Sequence, residues 1–310
     1  MSLKTVSHSP HLKGKETTSG IMLDVIIALL PAAVMGVIYF GPLALAQIAT
    51  GVLTAVLAEY ICCLASKKKC SVGNLSAVVT GLLLALNVPA GLPVWMTAIG
   101  AAVAIVVVKM MFGGLGQNFA NPAIVGRIIL LVSFATAMTT FSEPFAWFEG
   151  AKDAVSSATP LAKEGAYSYL DLFLGKHPGV IGETCAAALL LGGIYLVIRR
   201  VITPTIPLSF IGAVAVFSLI LGLDPLYAVL SGGVLLGAIF MATDYVTSPH
   251  NFLGKLIFGI GCGIITVVIR KFGSLPEGVS YAILLMNLLT PHIEKLTAPK
   301  PFGWEAKKNG

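Results

Sequence analysis

Apolar residues run along this chain in long blocks, separated by short stretches rich in Gly, Pro and charge. The blocks fall at about 21–40, 42–65, 72–88, 93–111, 122–141, 179–198, 205–223, 226–243, 252–269 and 276–293. Most come near the ~20 residues that a helix needs to cross a bilayer, so the pattern predicts about ten membrane spans. The third block is short and ends in Asn87-Val-Pro-Ala-Gly-Leu-Pro93, through which a helix cannot continue. Gly and Pro mark most of the other boundaries.

Two parts of the chain echo each other. Ile105-Val-Val-Val-Lys-Met-Met-Phe-Gly113 matches Ile265-Thr-Val-Val-Ile-Arg-Lys-Phe-Gly273 at an offset of 160. Pro122-Ala-Ile-Val-Gly-Arg-Ile-Ile-Leu-Leu131 follows the first string and Pro276-Glu-Gly-Val-Ser-Tyr-Ala-Ile-Leu-Leu285 the second, while Thr80-Gly-Leu-Leu-Leu-Ala85 resembles Ser231-Gly-Gly-Val-Leu-Leu-Gly237. Spans three to five are thus set against spans eight to ten. With five spans per half, the second half must lie upside down, the inverted-topology repeat of many transport folds. The predicted fold is an all-α integral membrane protein of two inverted five-helix repeats, a plan like that of urea channels, with some helices short or broken. The boundaries read as a cytoplasmic tail at 1–20, a first repeat at 21–141, an outer loop at 142–178, a second repeat at 179–293 and a cytoplasmic tail at 294–310.

Composition agrees: 11% of residues are charged and 56% hydrophobic, and mean hydropathy is +0.91. A soluble chain carries about 25% charged residues. The first 20 residues carry Lys4, Lys13 and Lys15 without the apolar core of a signal peptide. With the N-terminus inside, 14 basic residues fall on the cytoplasmic side: Lys4, Lys13, Lys15, Lys67, Lys68, Lys69, Lys109, Arg199, Arg200, Lys255, Lys295, Lys300, Lys307 and Lys308. The outer side receives Lys152, Lys163, Lys176, Arg270 and Lys271, and Arg127 lies within a span. That asymmetry obeys the positive-inside rule, so the net charge of +6 orients the chain in its membrane and gives no sign of nucleic-acid binding.

The five cysteines show no C-x-x-C spacing, and Cys62, Cys63, Cys185 and Cys262 sit in apolar segments, where a thiol behaves as a small hydrophobe. Ionisable residues within spans are costly and therefore candidates for function. Asp24, Glu59, Arg127 and Glu183 are in that position. Asp24 and Glu183 occupy matching places at the starts of spans one and six; Asp24 and Glu59 also lie close enough to the headgroups to snorkel. Arg127 is deeper and requires a partner, either a carbonyl or a flavin oxygen. Asp24, Glu183 and Arg127 are the candidates for an ion path. His177, His250 and His292 read as interfacial, and His8 and His11 belong to the tail.

The outer loop holds Asp153-Ala-Val-Ser-Ser-Ala-Thr-Pro-Leu161. Alone, Ser and Thr before Pro read as a cap or turn. The string also resembles the Ser-Gly-Ala-Thr type motif of the RnfD family of electron-transport proteins, related to the NqrB component of the sodium-translocating NADH:quinone reductase. In that family FMN is joined through its phosphate to the threonine. The resemblance aligns Ser156, Ala158 and Thr159 with the motif, makes Thr159 the acceptor, and puts Ser157 where Gly is usual, which narrows the backbone conformations there. A flavin transferase needs an exposed hydroxyl with small neighbours, and this string supplies one.

Further elements follow in order: Lys69-Cys-Ser-Val-Gly-Asn-Leu-Ser-Ala-Val-Val-Thr-Gly81 resembles the family's entry to span three, Gly113-Gly-Leu-Gly-Gln-Asn-Phe-Ala-Asn-Pro122 its Asn-x-x-Asn-Pro element, and Phe240-Met-Ala-Thr-Asp-Tyr-Val-Thr-Ser-Pro249 its Phe-Met-Ala-Thr-Asp element. The resemblance implies riboflavin or another flavin held noncovalently near Asn118 and Asn121, whose amides sit beside glycines that let backbone approach a flat ring. The same asparagines also read as caps of span five before Pro122. Asp244 bonds to Asn121, lines an ion path, or is a plain cytoplasmic loop acid.

The resemblance further implies a membrane component of a redox-driven pump, the Rnf complex, moving electrons between ferredoxin and NAD and exporting Na+ or H+. Its partners would be other Rnf-type proteins carrying flavin and iron–sulfur centres, since no ferredoxin or dinucleotide site is visible in the chain. The other readings are a passive urea-channel-like pore and a cofactor-free scaffold.

Overall fold

The computed structural model describes residues 17–67, 70–148, 167–273 and 277–298. Ser156, Ser157, Ala158 and Thr159 lie outside the described residues, as does most of each predicted tail. The elements are helical: α1 (Thr18–Phe40), α2 (Pro42–Ala65), α3 (Ser76–Leu86), α4 (Val94–Val103), α5 (Pro122–Ser133), α6 (Ala135–Met138), α7 (Tyr169–Leu174), α8 (Ala186–Ile198), α9 (Thr205–Ile220), α10 (Pro225–Leu230), α11 (Val234–Leu236), α12 (Phe252–Phe272) and α13 (Val279–Thr297). π-Helical turns prolong α4 over Ala104–Met110 and α11 over Gly237–Met241.

Three helices, α1, α2 and α12, are long and apolar enough to cross a bilayer, and α3, α4, α5, α8 and α9 are shorter apolar helices. The chain is a multi-pass membrane protein. On α1 the exposed side chains Leu23, Ile27, Leu30, Val34 and Ile38 recur every three or four residues, whereas Ala28, Ala32 and Gly36 are buried. Large apolar residues outward and small ones inward is the arrangement of a helix dissolved in lipid, where close backbone packing replaces the hydrophobic drive.

Several predicted spans are only part helix. α3 has 11 residues, about 16 Å of rise at 1.5 Å per residue, roughly half of a hydrocarbon core ~30 Å thick. It stops at Asn87, before the Pro-Gly-Pro stretch. The block at 179–198 becomes regular only at Ala186, because its first residues do another job: the N–H groups of Ile181 and Gly182 donate to the carbonyls of Val88 (3.2 Å) and Leu86 (2.8 Å). That pairing satisfies acceptors orphaned by the end of α3. The block at 226–243 is likewise interrupted, between α10 and α11. Helix starts follow local rules: Asn121 and Asp224 cap α5 and α10 through their side chains, each followed by Pro at the first helical position.

The packing partners recur between the halves. α4 lies against α2 and α5 as α12 lies against α9 and α13, and α1 touches α3 as α8 touches α11. The halves meet where α1 packs on α8 and α5 on α13.

The crossing of α2 with α3 depends on paired glycines: a Cβ at Gly81 would lie 2.5 Å from the Gly51 carbonyl oxygen. Gly81→Val should therefore cost at least about 1–3 kcal/mol, read as a lowered thermal midpoint and reduced accumulation. Gly212→Val, at a helix position with nothing within 4 Å, should leave both near wild type.

Candidate functional site

A mainly apolar cleft with an enclosed volume of about 90 Å³ and a few polar groups in its wall lies partly open to the surface. α1, α3, the π-turns after α4 and α11, and the loop before α5 all contribute to its wall, so both halves of the chain build it. Leu83, Leu115 and Phe240 supply apolar wall, and Ser76, Thr80, Lys109, Asn118, Asn121 and Asp244 supply polar groups. The three residues named from the Asn-Pro and Thr-Asp elements thus converge on one place.

Their individual roles differ. Asn121 accepts from the Ala123 N–H at 3.0 Å, capping α5, and donates to the Met241 carbonyl at 3.1 Å. Its side chain is used in holding the first half to the end of the second half's π-turn. Asn118 donates to the Ala120 carbonyl at 3.2 Å. Asp244 does not bond to Asn121; its carboxylate accepts from the Thr247 hydroxyl at 3.1 Å. It lies beyond the π-turn, in the loop outside the helical span, and burial pushes its carboxyl above the usual carboxylate range.

At one edge of the cleft lies a charge pair hidden from solvent. Lys109 Nζ stands 2.7 Å from Glu59 Oε2, with side chains 3% and 0% exposed. Lys109 also donates to Ser76 Oγ at 2.7 Å, and Ser71 donates to the other oxygen of Glu59. Glu59 therefore does not snorkel. The π-turn turns Lys109 inward; such turns are rare and gather at functional positions. The sequence did carry a signal for Lys109, a lysine inside Val106-Val-Val-Lys-Met-Met, but a count of charges per side absorbs it as a cytoplasmic cation.

A second buried group sits where helices stop. Arg127 donates to Asn87 Oδ1 at 2.9 Å and Ser280 Oγ at 3.1 Å, and forms an ion pair with Glu277. Its partners are thus side chains of α13's start and α3's end. Glu183, 6% exposed, lies within electrostatic reach of both Arg127 and Arg270. Arg270 faces inward rather than standing as an outer-surface charge. Glu277 was missed because it reads as a span-boundary acid after Pro276. Asp24 joins neither group: it accepts from Tyr195 at 2.9 Å and Arg199 at 3.1 Å, near the surface. His177, expected at the interface, is 1% exposed. Among the described residues no three His, Cys, Asp or Glu side chains cluster as a metal site.

Comparison with known proteins covers nearly the whole chain. The NQR2, RnfD, RnfE family matches residues 5–303. The chain is 47% identical over 307 residues to the D component of the Na(+)-translocating ferredoxin:NAD(+) oxidoreductase complex of Acetobacterium woodii, spanning 96% of this chain and 95% of the relative. It is 43% identical over 320 residues to the D component of the proton-translocating ferredoxin:NAD(+) oxidoreductase complex of Clostridium ljungdahlii, spanning 96% of each. It is 35% identical over 341 residues to the D component of the ion-translocating oxidoreductase complex of Alcanivorax borkumensis, spanning 100% of this chain and 99% of the relative.

Removing one member of a buried pair strands the other charge, at a cost of about 3–5 kcal/mol. Lys109→Met should therefore lower the thermal midpoint strongly, and Lys109→Met combined with Glu59→Gln should recover much of the loss. Thermal unfolding of the two purified variants beside wild type checks this.

Proposed function

The chain belongs to the NQR2, RnfD, RnfE family, and on that premise we propose that it is the flavin-carrying membrane component of a redox-driven ion pump. Its nearly full-length identity with D components of ferredoxin:NAD(+) oxidoreductase complexes carries the reading. Catalysis belongs to the assembled complex: partner proteins bind ferredoxin and the dinucleotide and bring further flavin and iron–sulfur carriers.

Thr159 is the proposed point of attachment of FMN, as a phosphodiester made by a flavin transferase, with Ser156, Ser157 and Ala158 forming the string the transferase reads. The cleft is the proposed place of a noncovalent flavin, riboflavin by the family resemblance. Its residues fit a flat heteroaromatic ring: apolar walls from Leu83 and Phe240, with Asn118, Thr80 and Asp244 at the polar edge. Asn121 would act there by holding the wall in place. A bound flavin supplies one- and two-electron transfer; the chain supplies position and a dry environment.

The second half is proposed to repeat the first upside down, and the recurring helix partners α2–α4–α5 and α9–α12–α13 support this. Both termini then lie on the cytoplasmic side of the inner membrane and the loop at 142–178 on the outer side, in keeping with the distribution of Lys and Arg. Asp24, Glu183 and Arg127 are proposed to line the path of an exported cation, the carboxylates as its contacts and Arg127 as the counter-charge beside Glu183. The Acetobacterium and Clostridium relatives are named for different ions, Na+ and H+, and either is compatible with carboxylates of this kind.

In-gel flavin fluorescence after denaturing electrophoresis tests the attachment. Wild type produced with a flavin transferase should give a fluorescent band and Thr159→Ala a dark one. Fluorescence that survives in Thr159→Ala contradicts the assignment, and a dark wild-type band favours a pore or scaffold.

A further inference from the structure

The break between α10 and α11 is held together differently from the break after α3. Gly232 and Gly233 both adopt positive φ there, 67° and 71°, which unwinds the chain and turns carbonyls aside. Three of these oxygens converge on one side chain. Arg270 Nη1 lies 2.6 Å from the Ala228 oxygen, and Nη2 lies 2.9 Å from the oxygens of both Ser231 and Gly232. The sequence echo pairs Thr80-Gly81 with Ser231-Gly232, and there the first half runs on as continuous α3, so the unwound turn is a point of difference between the halves.

Beside the cup is a buried carboxyl with one free oxygen. Glu183 is 6% exposed, and its Oε2 has no hydrogen-bond partner. That oxygen abuts the unwound turn: a Cβ built on Gly233 would stand 2.9 Å from it. By formal charge, Glu183 and Glu277 match Arg127 and Arg270. Carbonyls of unwound helices and the C-terminal ends of half-helices are how many transporters hold Na+, and a carboxylate beside them adds the opposite charge. Here the positive charge is covalently part of the chain.

We propose that the α10–α11 break is an alkali-cation site, built from the carbonyls of Ala228, Ser231 and Gly232 with the Glu183 carboxylate, which the chain fills with the guanidinium of Arg270. The guanidinium closes the break to free ions. Without it, the cup and the carboxylate carry one uncompensated negative charge and take up Na+ in its place. The site is a property of this chain's own residues and holds whether or not ions cross this protein.

The test uses the purified complex with Arg270→Ala and measures its thermal midpoint in NaCl, choline chloride and low-millimolar guanidinium chloride at equal ionic strength. Arg270→Ala should be destabilised in choline and recover by at least about 3 °C in a saturable way with either Na+ or guanidinium, a shift on the scale of one kcal/mol for a chain of this size. Wild type should respond to Na+ less than Arg270→Ala does and to guanidinium not at all, and Arg270→Lys, which keeps a tethered cation, should behave as wild type. Adding Glu183→Gln to Arg270→Ala should abolish the recovery. A flat response of Arg270→Ala, or one that survives Glu183→Gln, overturns the proposal. Failure of Arg270→Ala and of Arg270→Ser to assemble even with guanidinium or Na+ present throughout also overturns it, because either ion is held to replace the side chain.

Discussion

Backbone that stops being helical away from water has no solvent to satisfy it, and in this protein several helices stop in the buried interior. α3 ends at Leu86, α8 does not begin until Ala186, and the chain unwinds between Leu230 and Val234. Each loose end is closed by a group from a distant part of the sequence. Ile181 and Gly182 bond back to Val88 and Leu86, Asn121 reaches the Met241 carbonyl, and Arg270 gathers three carbonyls before α11. Arg127 binds the side chain of Asn87, which itself donates to the Leu83 carbonyl at 2.7 Å. These bonds are costly to lose in a low-dielectric interior, and those of Ile181, Gly182 and Asn121 tie one half of the chain to the other.

The same requirement concentrates polar chemistry in the middle of an otherwise apolar molecule. Arg127, Glu183, Arg270 and Glu277 cluster where helix ends meet, and Lys109 with Glu59 occupies the edge of the cleft that both halves enclose. Broken helices supply the polar ground on which these charges sit within an apolar molecule. Exposed faces such as the Leu23–Ile38 stripe of α1 carry none of this and are apolar.

Much of this was legible in the sequence. Block lengths marked the spans, Asn87-Val-Pro-Ala-Gly-Leu-Pro93 marked the end of α3, and Asn118, Asn121 and Asp244 were named together before the fold brought them to one cleft. What periodicity could not show is pairing across distance. Lys109 and Glu59 are 50 positions apart, and Arg127 and Glu277 are 150 apart; Lys109, Glu59 and Glu277 read locally as charges near a membrane surface, and Arg127 as a deeper charge whose partner the sequence leaves open. Their burial is decided by which helices neighbour one another. Asp24 and Glu183, matched by position in their blocks, part company because α8 starts late and leaves Glu183 in an unwound turn while Asp24 stays within α1.

Arg127 joins helix ends from opposite halves, and hydrogen exchange on the complex tests that role most directly. With Arg127→Gln, the backbone amides of residues 85–92, around the end of α3, and of residues 279–283, at the start of α13, should both exchange faster than in wild type, while α9 should be unchanged. Faster exchange confined to α5 around the substitution, with both distant segments unaffected, would contradict it.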